Sequence, residues 1–185
     1  MPFADWSSSD FALTHSSDQA RVGTKSIKCV YSGTGIKTLS STQSFGDLST
    51  ETGAASGTPT KGGLGCWVYL ETASDISAFT TDLGSGGSDY GTVTMTLYGS
   101  TTGNVQRVGW NYFVGKMEEA SITGTPDWTA VDYCNLNFTV ASGTTIYVDY
   151  LTISQSNAAD PNRIGLNGLG SRYMTTGDVA VTLTG

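Results

Sequence analysis

The stretch LGCWVYLE, from Leu64 to Glu71, alternates side chains with a period of two. One set of alternate positions carries the apolar residues Leu64, Cys66, Val68 and Leu70. The other set carries the aromatic residues Trp67 and Tyr69. This alternation is typical of an antiparallel strand that buries one face, so it predicts a β-strand with Trp67 and Tyr69 turned away from the core.

The same pattern recurs along the chain. Val131–Val140 places Cys134, Leu136, Phe138 and Val140 on one face and Tyr133 on the other. Further strands are predicted at Lys25–Tyr31, Ile36–Leu39, Ile76–Leu83, Tyr90–Tyr98, Asn104–Val114 and Thr144–Ile153, with a helical turn near Lys116–Ala120. Glycine, serine and proline turns separate the strands, and no long amphipathic helix is predicted. The sequence therefore predicts an all-β fold, a two-sheet antiparallel jelly-roll β-sandwich.

Composition supports a folded β domain. The chain has 185 residues, enough for a substantial core, and 14% of them are charged. Glycine is abundant at 24 residues, but aromatic residues reach 10%, which argues against disorder. The net charge of -7 argues against a nucleic-acid partner, and no apolar run is long enough for a membrane span.

The N-terminal region lacks the basic and apolar segments of a signal peptide, which predicts synthesis in a cytoplasm. Cys29, Cys66 and Cys134 each fall within a strand pattern, and their number is odd. We therefore expect three reduced, buried thiols, which fit a reducing compartment.

After Ile153 the regular strand alternation stops, and the sequence becomes rich in glycine with dispersed apolar residues. We predict a β-sandwich over residues 1–153, followed by an extended C-terminal arm over residues 154–185 that ends in a short strand, Asp178–Thr184. Its anchoring apolar residues would be Ile164, Leu166, Leu169, Val179, Val181 and Leu183. The arm either packs on its own sandwich or adds a strand to a neighbouring subunit.

Four stretches in this order resemble the carbohydrate-binding-module-like jelly rolls found in glycoside hydrolases and in bacteriophage virion proteins. They are Phe3–Trp6 leading to Val22–Ile27, then Leu64–Leu70, Gly124–Trp128 and Ile146–Ile153. The resemblance covers most of residues 3–153 and implies the fold, whereas a jelly roll hosts many activities.

Relatives of this kind often hold a structural calcium ion, and the resemblance implies Asp149 with Asp5 or Asp10 as candidate ligands. Asp149 lies among apolar neighbours in a predicted central strand, where a carboxylate needs a partner. The alternative is that Asp149 accepts hydrogen bonds from backbone or tyrosine groups. No other cofactor is predicted.

Aromatic side chains could form a platform on which sugar rings stack. Trp67, Tyr69 and Tyr133 are the best candidates because they lie opposite the apolar faces of their strands. The alternative is that the aromatic residues serve as core or cross-strand packing.

We find no paired carboxylates with glycosidase spacing, no nucleophile elbow and no P-loop, so the sequence predicts a protein without enzymatic activity. We expect a structural component of a bacteriophage particle, most simply a capsid decoration protein that is made in the bacterial host cytoplasm and resides in the virion. Its partners would be the major capsid protein or its own copies in a homo-oligomer. The alternative function is a carbohydrate-binding module that recognises a glycan through surface aromatics.

Overall fold

A computed structural model describes residues 5–41, 43–98, 105–141 and 143–155, together with the backbone of 171–174. Its elements are the strands β1 (Trp6–Ser7), β2 (Ala12–Ser16), β3 (Ser26–Val30), β4 (Gly35–Ser41), β5 (Gly63–Leu70), β6 (Ile76–Gly86), β7 (Asp89–Thr94), β8 (Thr96–Leu97), β9 (Gly109–Lys116), β10 (Ser121–Thr123), β11 (Tyr133–Val140), β12 (Thr145–Ser154) and β13 (Ser171–Met174), the four-residue helix α1 (Ser49–Thr52) and a 3-10 turn at Met117–Glu119.

The strands form two antiparallel sheets. The six-stranded sheet has the order β1-β4-β11-β6-β7-β10. The seven-stranded sheet has the order β2-β3-β12-β5-β9-β8, with β13 also paired to β12. The predicted all-β sandwich of jelly-roll type is confirmed, and the described residues contain no helix long and apolar enough to cross a membrane.

The core lies between the two sheets and is built from the predicted alternation. Every residue predicted for it is at most 1% exposed: Ile27, Cys29, Leu64, Cys66, Val68, Leu70, Cys134, Leu136, Phe138 and Val140. The rings of Phe79 and Phe138 stack at 4.4 Å within it. The three cysteines are buried and unpaired, as expected.

Two predicted strands differ markedly from the observed ones. The stretch Tyr90–Tyr98 is divided at Met95, because β7 pairs in the six-stranded sheet whereas β8 pairs in the seven-stranded sheet. A chain that passes from one sheet to the other forms a corner of the sandwich, and the buried Met95 marks it. The predicted strand Asn104–Val114 begins only at Gly109, because residues 105–108 belong to the preceding loop.

The described part of the arm is a strand of the protein's own sheet. Ser171–Met174 pairs antiparallel with Leu151–Ser154 of β12. The strand predicted at Asp178–Thr184 and the six predicted anchoring residues, from Ile164 to Leu183, lie outside the described residues.

Candidate functional site

The outer face of the seven-stranded sheet carries aromatic residues on neighbouring strands. In β5, Trp67 and Tyr69 point away from the core, and their register partners in β9 are Tyr112 and Trp110. Directly opposed residues of antiparallel strands share a face of the sheet. The four rings therefore lie side by side on one surface.

Two more strands extend this surface. Tyr147 of β12 is the register partner of Tyr69 on the other side of β5. Tyr98, directly after β8, donates its backbone N–H to the carbonyl of Tyr112. We name the resulting surface the aromatic face and define it by six residues: Trp67, Tyr69, Tyr98, Trp110, Tyr112 and Tyr147.

The rings of the aromatic face contact one another in two groups. Tyr69 meets Trp110 edge-on at 5.5 Å and Tyr147 at 5.6 Å. Tyr112 lies 4.8 Å from Trp67 and 6.0 Å from Tyr98. These centroid distances are in the range of favourable aromatic pairs, so the rings support each other's orientation.

The six side chains of the aromatic face differ in how much of their surface is exposed to solvent. Tyr112 and Tyr147 are only 5% and 4% exposed, whereas Tyr98 is 39% exposed. Trp67, Tyr69 and Trp110 are half-buried. Four rings are thus partly exposed, and the two buried tyrosines form a base beneath them.

A cleft of about 270 Å³ opens at one end of the aromatic face. Its lining consists of Trp67, Leu97, Tyr98, Val105, Arg107, Trp110, Asn111 and Tyr112. Aromatic walls with a few polar groups are typical of small-molecule binding sites.

Asn111 organises the loop that borders this cleft. Its Oδ1 accepts the backbone N–H of Arg107 at 2.9 Å, and its Nδ2 donates to the carbonyls of Arg107 at 2.7 Å and Gly109 at 2.9 Å. Because Asn111 is only 5% exposed, water does not compete for these hydrogen bonds. The backbone that carries Arg107 is therefore anchored to β9.

Asp149 anchors a second loop at the other side of Trp67. Its Oδ2 accepts the backbone N–H groups of Arg21 and Val22, both at 2.9 Å. The pairing of β12 with β5 has a bulge directly after Asp149, where Tyr150 adopts a φ of 56°. On its other edge, β12 pairs with β3 through Val148 and with β13 from Leu151, so Asp149 lies at the gap between these two partners.

The loop held by Asp149 places a cation on the aromatic face. The guanidinium carbon of Arg21 lies 4.5 Å from the ring centroid of Trp67. Lys28 lies 5.5 Å from the ring of Tyr147 and forms an ion pair with Asp18 at 3.0 Å. The hydrogen bond that Lys28 donates to the Asp18 carboxylate raises the pKa of Lys28 and favours its charged form.

Tyr133 does not belong to this surface. It lies on β11 in the six-stranded sheet, where it contacts Tyr90 at 5.5 Å and its hydroxyl accepts a hydrogen bond from Asn135 at 2.8 Å. Packed sheets are about 10 Å apart, and the outer faces of a sandwich point in opposite directions. The structure therefore brings Trp67 and Tyr69 together and puts Tyr133 on the opposite side of the molecule.

Of the three candidate calcium ligands, Asp149 and Asp5 lie at different sheets, and Asp10 accepts the backbone N–H of Thr38 at 3.0 Å. Asp149 belongs to a central strand of the seven-stranded sheet, and Asp5 directly precedes β1 of the six-stranded sheet. Among the described residues, no group of three or more His, Cys, Asp or Glu side chains forms a metal-ligand set. Backbone carbonyls supply many calcium ligands in proteins, so a calcium ion held by Asp149 with Asp5 or Asp10 stays a prediction.

Arg21 and Tyr98 were not predicted for the site, and Trp110 was an aromatic candidate but not one of the best three. Trp110 and Tyr112 are two positions apart in one predicted strand, so the sequence alone indicates that they share a face. The pairing of that strand with β5 depends on contacts between distant segments and left no local signal.

Comparison with known proteins agrees with the fold. No family model and no curated protein matches the sequence. Among solved structures, the CBM22-1–GH10 modules of Clostridium thermocellum endo-1,4-beta-D-xylanase 10B, complexed with xylohexaose, match with a TM-score of 0.50 at 15% identity. The match covers 83% of this chain and 26% of the xylanase chain, so the present chain spans about a quarter of that protein.

Two further structures match with lower scores. The CBM27-1 of Caldicellulosiruptor saccharolyticus, in complex with mannohexaose, has a TM-score of 0.42 and 13% identity over 80% of this chain and 88% of its own. The enzymatically active domain of bacteriophage CBA120 tailspike protein 4 has a TM-score of 0.38 and 12% identity over 78% of this chain and 18% of its own. The match to the xylanase modules, at a TM-score of 0.50, is consistent with the jelly-roll fold.

Proposed function

We propose that this chain is a glycan-binding module without enzymatic activity, and that the aromatic face is its binding surface. The observation that carries the proposal is the set of four accessible rings, Trp67, Tyr69, Tyr98 and Trp110, held side by side by neighbouring strands. Pyranose rings present apolar C–H faces that pack on aromatic rings, and their hydroxyls need hydrogen-bond partners at the edge.

The arrangement is preorganised. The buried rings of Tyr112 and Tyr147 support the accessible ones, and Asn111 anchors the loop beside them. Binding to a rigid surface avoids the free-energy cost of ordering side chains, so weak stacking contacts can add up to useful affinity.

The test is a panel of polysaccharides probed by affinity electrophoresis, followed by calorimetry with oligosaccharides of the best binder. We expect Tyr69→Ala and Trp110→Ala each to lower the affinity at least about tenfold, the effect typical of a central aromatic anchor. Tyr133→Ala is the matched control, because it removes an equally half-buried ring from the opposite sheet. Equal losses in all three variants, or binding to no glycan of the panel, would refute the proposal.

A role as a virion component is the second proposal. The observation that favours it is the set of three buried, unpaired cysteines, which suits synthesis and assembly in a reducing cytoplasm. The partners would be the major capsid protein or further copies of this chain. Light scattering coupled to size-exclusion chromatography and co-sedimentation with purified phage heads or tails test it, and a monomer that binds neither would refute it.

A further inference from the structure

Basic side chains gather at the aromatic face of a chain that is acidic overall. The chain carries a net charge of -7 and has nine lysine and arginine residues. Of these, Arg21 lies over Trp67, Lys28 lies over Tyr147, and Arg107 lines the cleft beside Trp67 and Trp110. Three of the nine basic side chains thus lie at the aromatic face.

Arg21 is held in its position by contacts of its backbone and of its guanidinium group. The buried Asp149 fixes the backbone of Arg21, and the guanidinium lies on the indole of Trp67. Within the described ranges, the guanidinium forms no ion pair. A guanidinium on an aromatic ring keeps its in-plane N–H donors available, and their fork matches a carboxylate.

Arg107 is also anchored through its backbone. Asn111 binds both the N–H and the carbonyl of Arg107, and in the part of the chain that the structure describes its guanidinium likewise has no acidic partner. Trp67 contacts Arg21 and lines the cleft together with Arg107. The two arginines therefore border one ring of the aromatic face.

Among the described residues, the acidic side chains near the aromatic face form no ion pair with these arginines. Asp18 is engaged by Lys28, and Asp149 accepts backbone N–H groups beneath Arg21. Glu71 follows directly after β5 and adds one exposed negative charge at the end of this strand.

We propose that the ligand of the aromatic face is an acidic glycan, one whose pyranose rings carry uronic acid carboxylates. This inference rests on the proposed function and names its ligand class. The rings of Tyr69 and Trp110 pack against the sugar, while Arg21 and Arg107 each bind a carboxylate through paired N–H donors. A neutral glycan leaves both guanidinium groups without an anionic partner and binds more weakly.

The experiment compares each polyuronate of a panel with its own methyl ester, using oligogalacturonide, oligoglucuronate and oligomannuronate hexamers in calorimetry with the full chain. Esterification keeps the sugar backbone and removes the charge. We expect the acid form of at least one hexamer to bind about tenfold or more tighter than its ester, the usual gain from hydrogen bonds to a charged group. This preference should shrink as the ionic strength rises from about 0.05 M to about 0.5 M.

Single substitutions test whether Arg21 and Arg107 cause the preference for the acid form. Arg21→Gln and Arg107→Gln should each lower the affinity for the acid about fivefold or more and change that for the ester less than about twofold. Lys61→Gln, which removes a positive charge from a loop elsewhere, should change neither, and Glu71→Gln should strengthen binding of the acid. If acid and ester bind equally well, or if neutral hexamers bind tighter, the inference is wrong while the proposed function stands. If no acidic or neutral hexamer binds, both fail.

Discussion

Asp149 and Arg21 are 128 residues apart in the sequence, and the Asp149 carboxylate accepts the backbone N–H of Arg21 at 2.9 Å. The same oxygen accepts the N–H of Val22, and Asp149 is fully buried. This contact connects the central strand β12 to the loop that places Arg21 on Trp67. One carboxylate thus contributes both to the stability of the sandwich and to the shape of the candidate site.

Replacing this carboxylate with an amide should destabilise the protein. We expect Asp149→Asn to lower the free energy of unfolding by about 1–3 kcal/mol, because the two backbone donors lose a charged acceptor in a buried place. Urea unfolding measures the change. Asp132→Asn, at an exposed position, is the control and should have an effect within about 0.5 kcal/mol. Equal stability of the two variants would contradict the role of Asp149.

The three thiols should be inert in the folded protein. Burial raises the pKa of Cys29, Cys66 and Cys134, and all three are fully buried, so neither thiolate nor reagent access is available. A thiol reagent at about pH 8 should find none of them in the native state. After unfolding without reductant it should find three. A lower count in the unfolded chain would indicate a disulfide and contradict the reduced state.

Tyr31 should contribute to the loss of stability at alkaline pH. Burial, together with the negative charges of Asp75 and Glu71, raises the pKa of Tyr31 to about 12. In the unfolded chain tyrosine ionises near pH ~10, so above that pH the unfolded state releases a proton that the folded state keeps. The free energy of unfolding therefore falls with rising pH until the folded pKa is reached.

Tyr31→Phe lacks this ionisation. Its free energy of unfolding should decline less steeply than that of the natural chain between about pH 10 and about pH 12. The buried cysteines act alike in both proteins, so the difference reports Tyr31 alone. Parallel pH profiles in urea unfolding would show that Tyr31 ionises normally in the folded state.

Truncation of the C-terminal arm tests whether its strand β13 stabilises the same chain through its pairing with β12. A chain ending at Ser154 lacks β13 and exposes the edge of β12 at Leu151–Ser154. We expect a lower thermal midpoint, by about 2–4 °C for each kcal/mol lost. A chain ending at Met174 keeps β13 and should retain most of the midpoint. If the shorter chain melts like the full one, the arm instead acts between subunits, as the virion proposal requires.

The sequence predicted the inward faces of the strands well because each face repeats within one short segment. Cys66 and Val68, or Leu136 and Phe138, show their common face from local alternation alone. The alternation of side chains along a strand also identifies the residues that point outward. It does not show to which of the two sheets the strand belongs. For this reason Tyr133 was grouped with Trp67 and Tyr69, although β11 belongs to the other sheet.

Other features of the site depend on contacts between distant segments. The hydrogen bond from Arg21 to Asp149 and the stacking of Arg21 on Trp67 arise from the bulge in β12 and the path of a loop. The corner at Met95 is also hidden, because β7 and β8 read as one continuous alternation. The helix α1 has only four residues, too few for a helical period to appear in the sequence.

The most direct test of glycan binding by the aromatic face uses the four tryptophans as reporters. Trp67 and Trp110 lie on the aromatic face, whereas Trp6 and Trp128 are buried in the core at 6% and 0% exposure. In a ¹H–¹⁵N correlation spectrum titrated with the best-binding oligosaccharide, the indole N–H signals of Trp67 and Trp110 should shift while those of Trp6 and Trp128 stay. If the glycan saturates the protein without moving the signals of Trp67 and Trp110, or instead perturbs the side-chain amide of Asn135 beside Tyr133, the binding surface assigned to this protein is wrong.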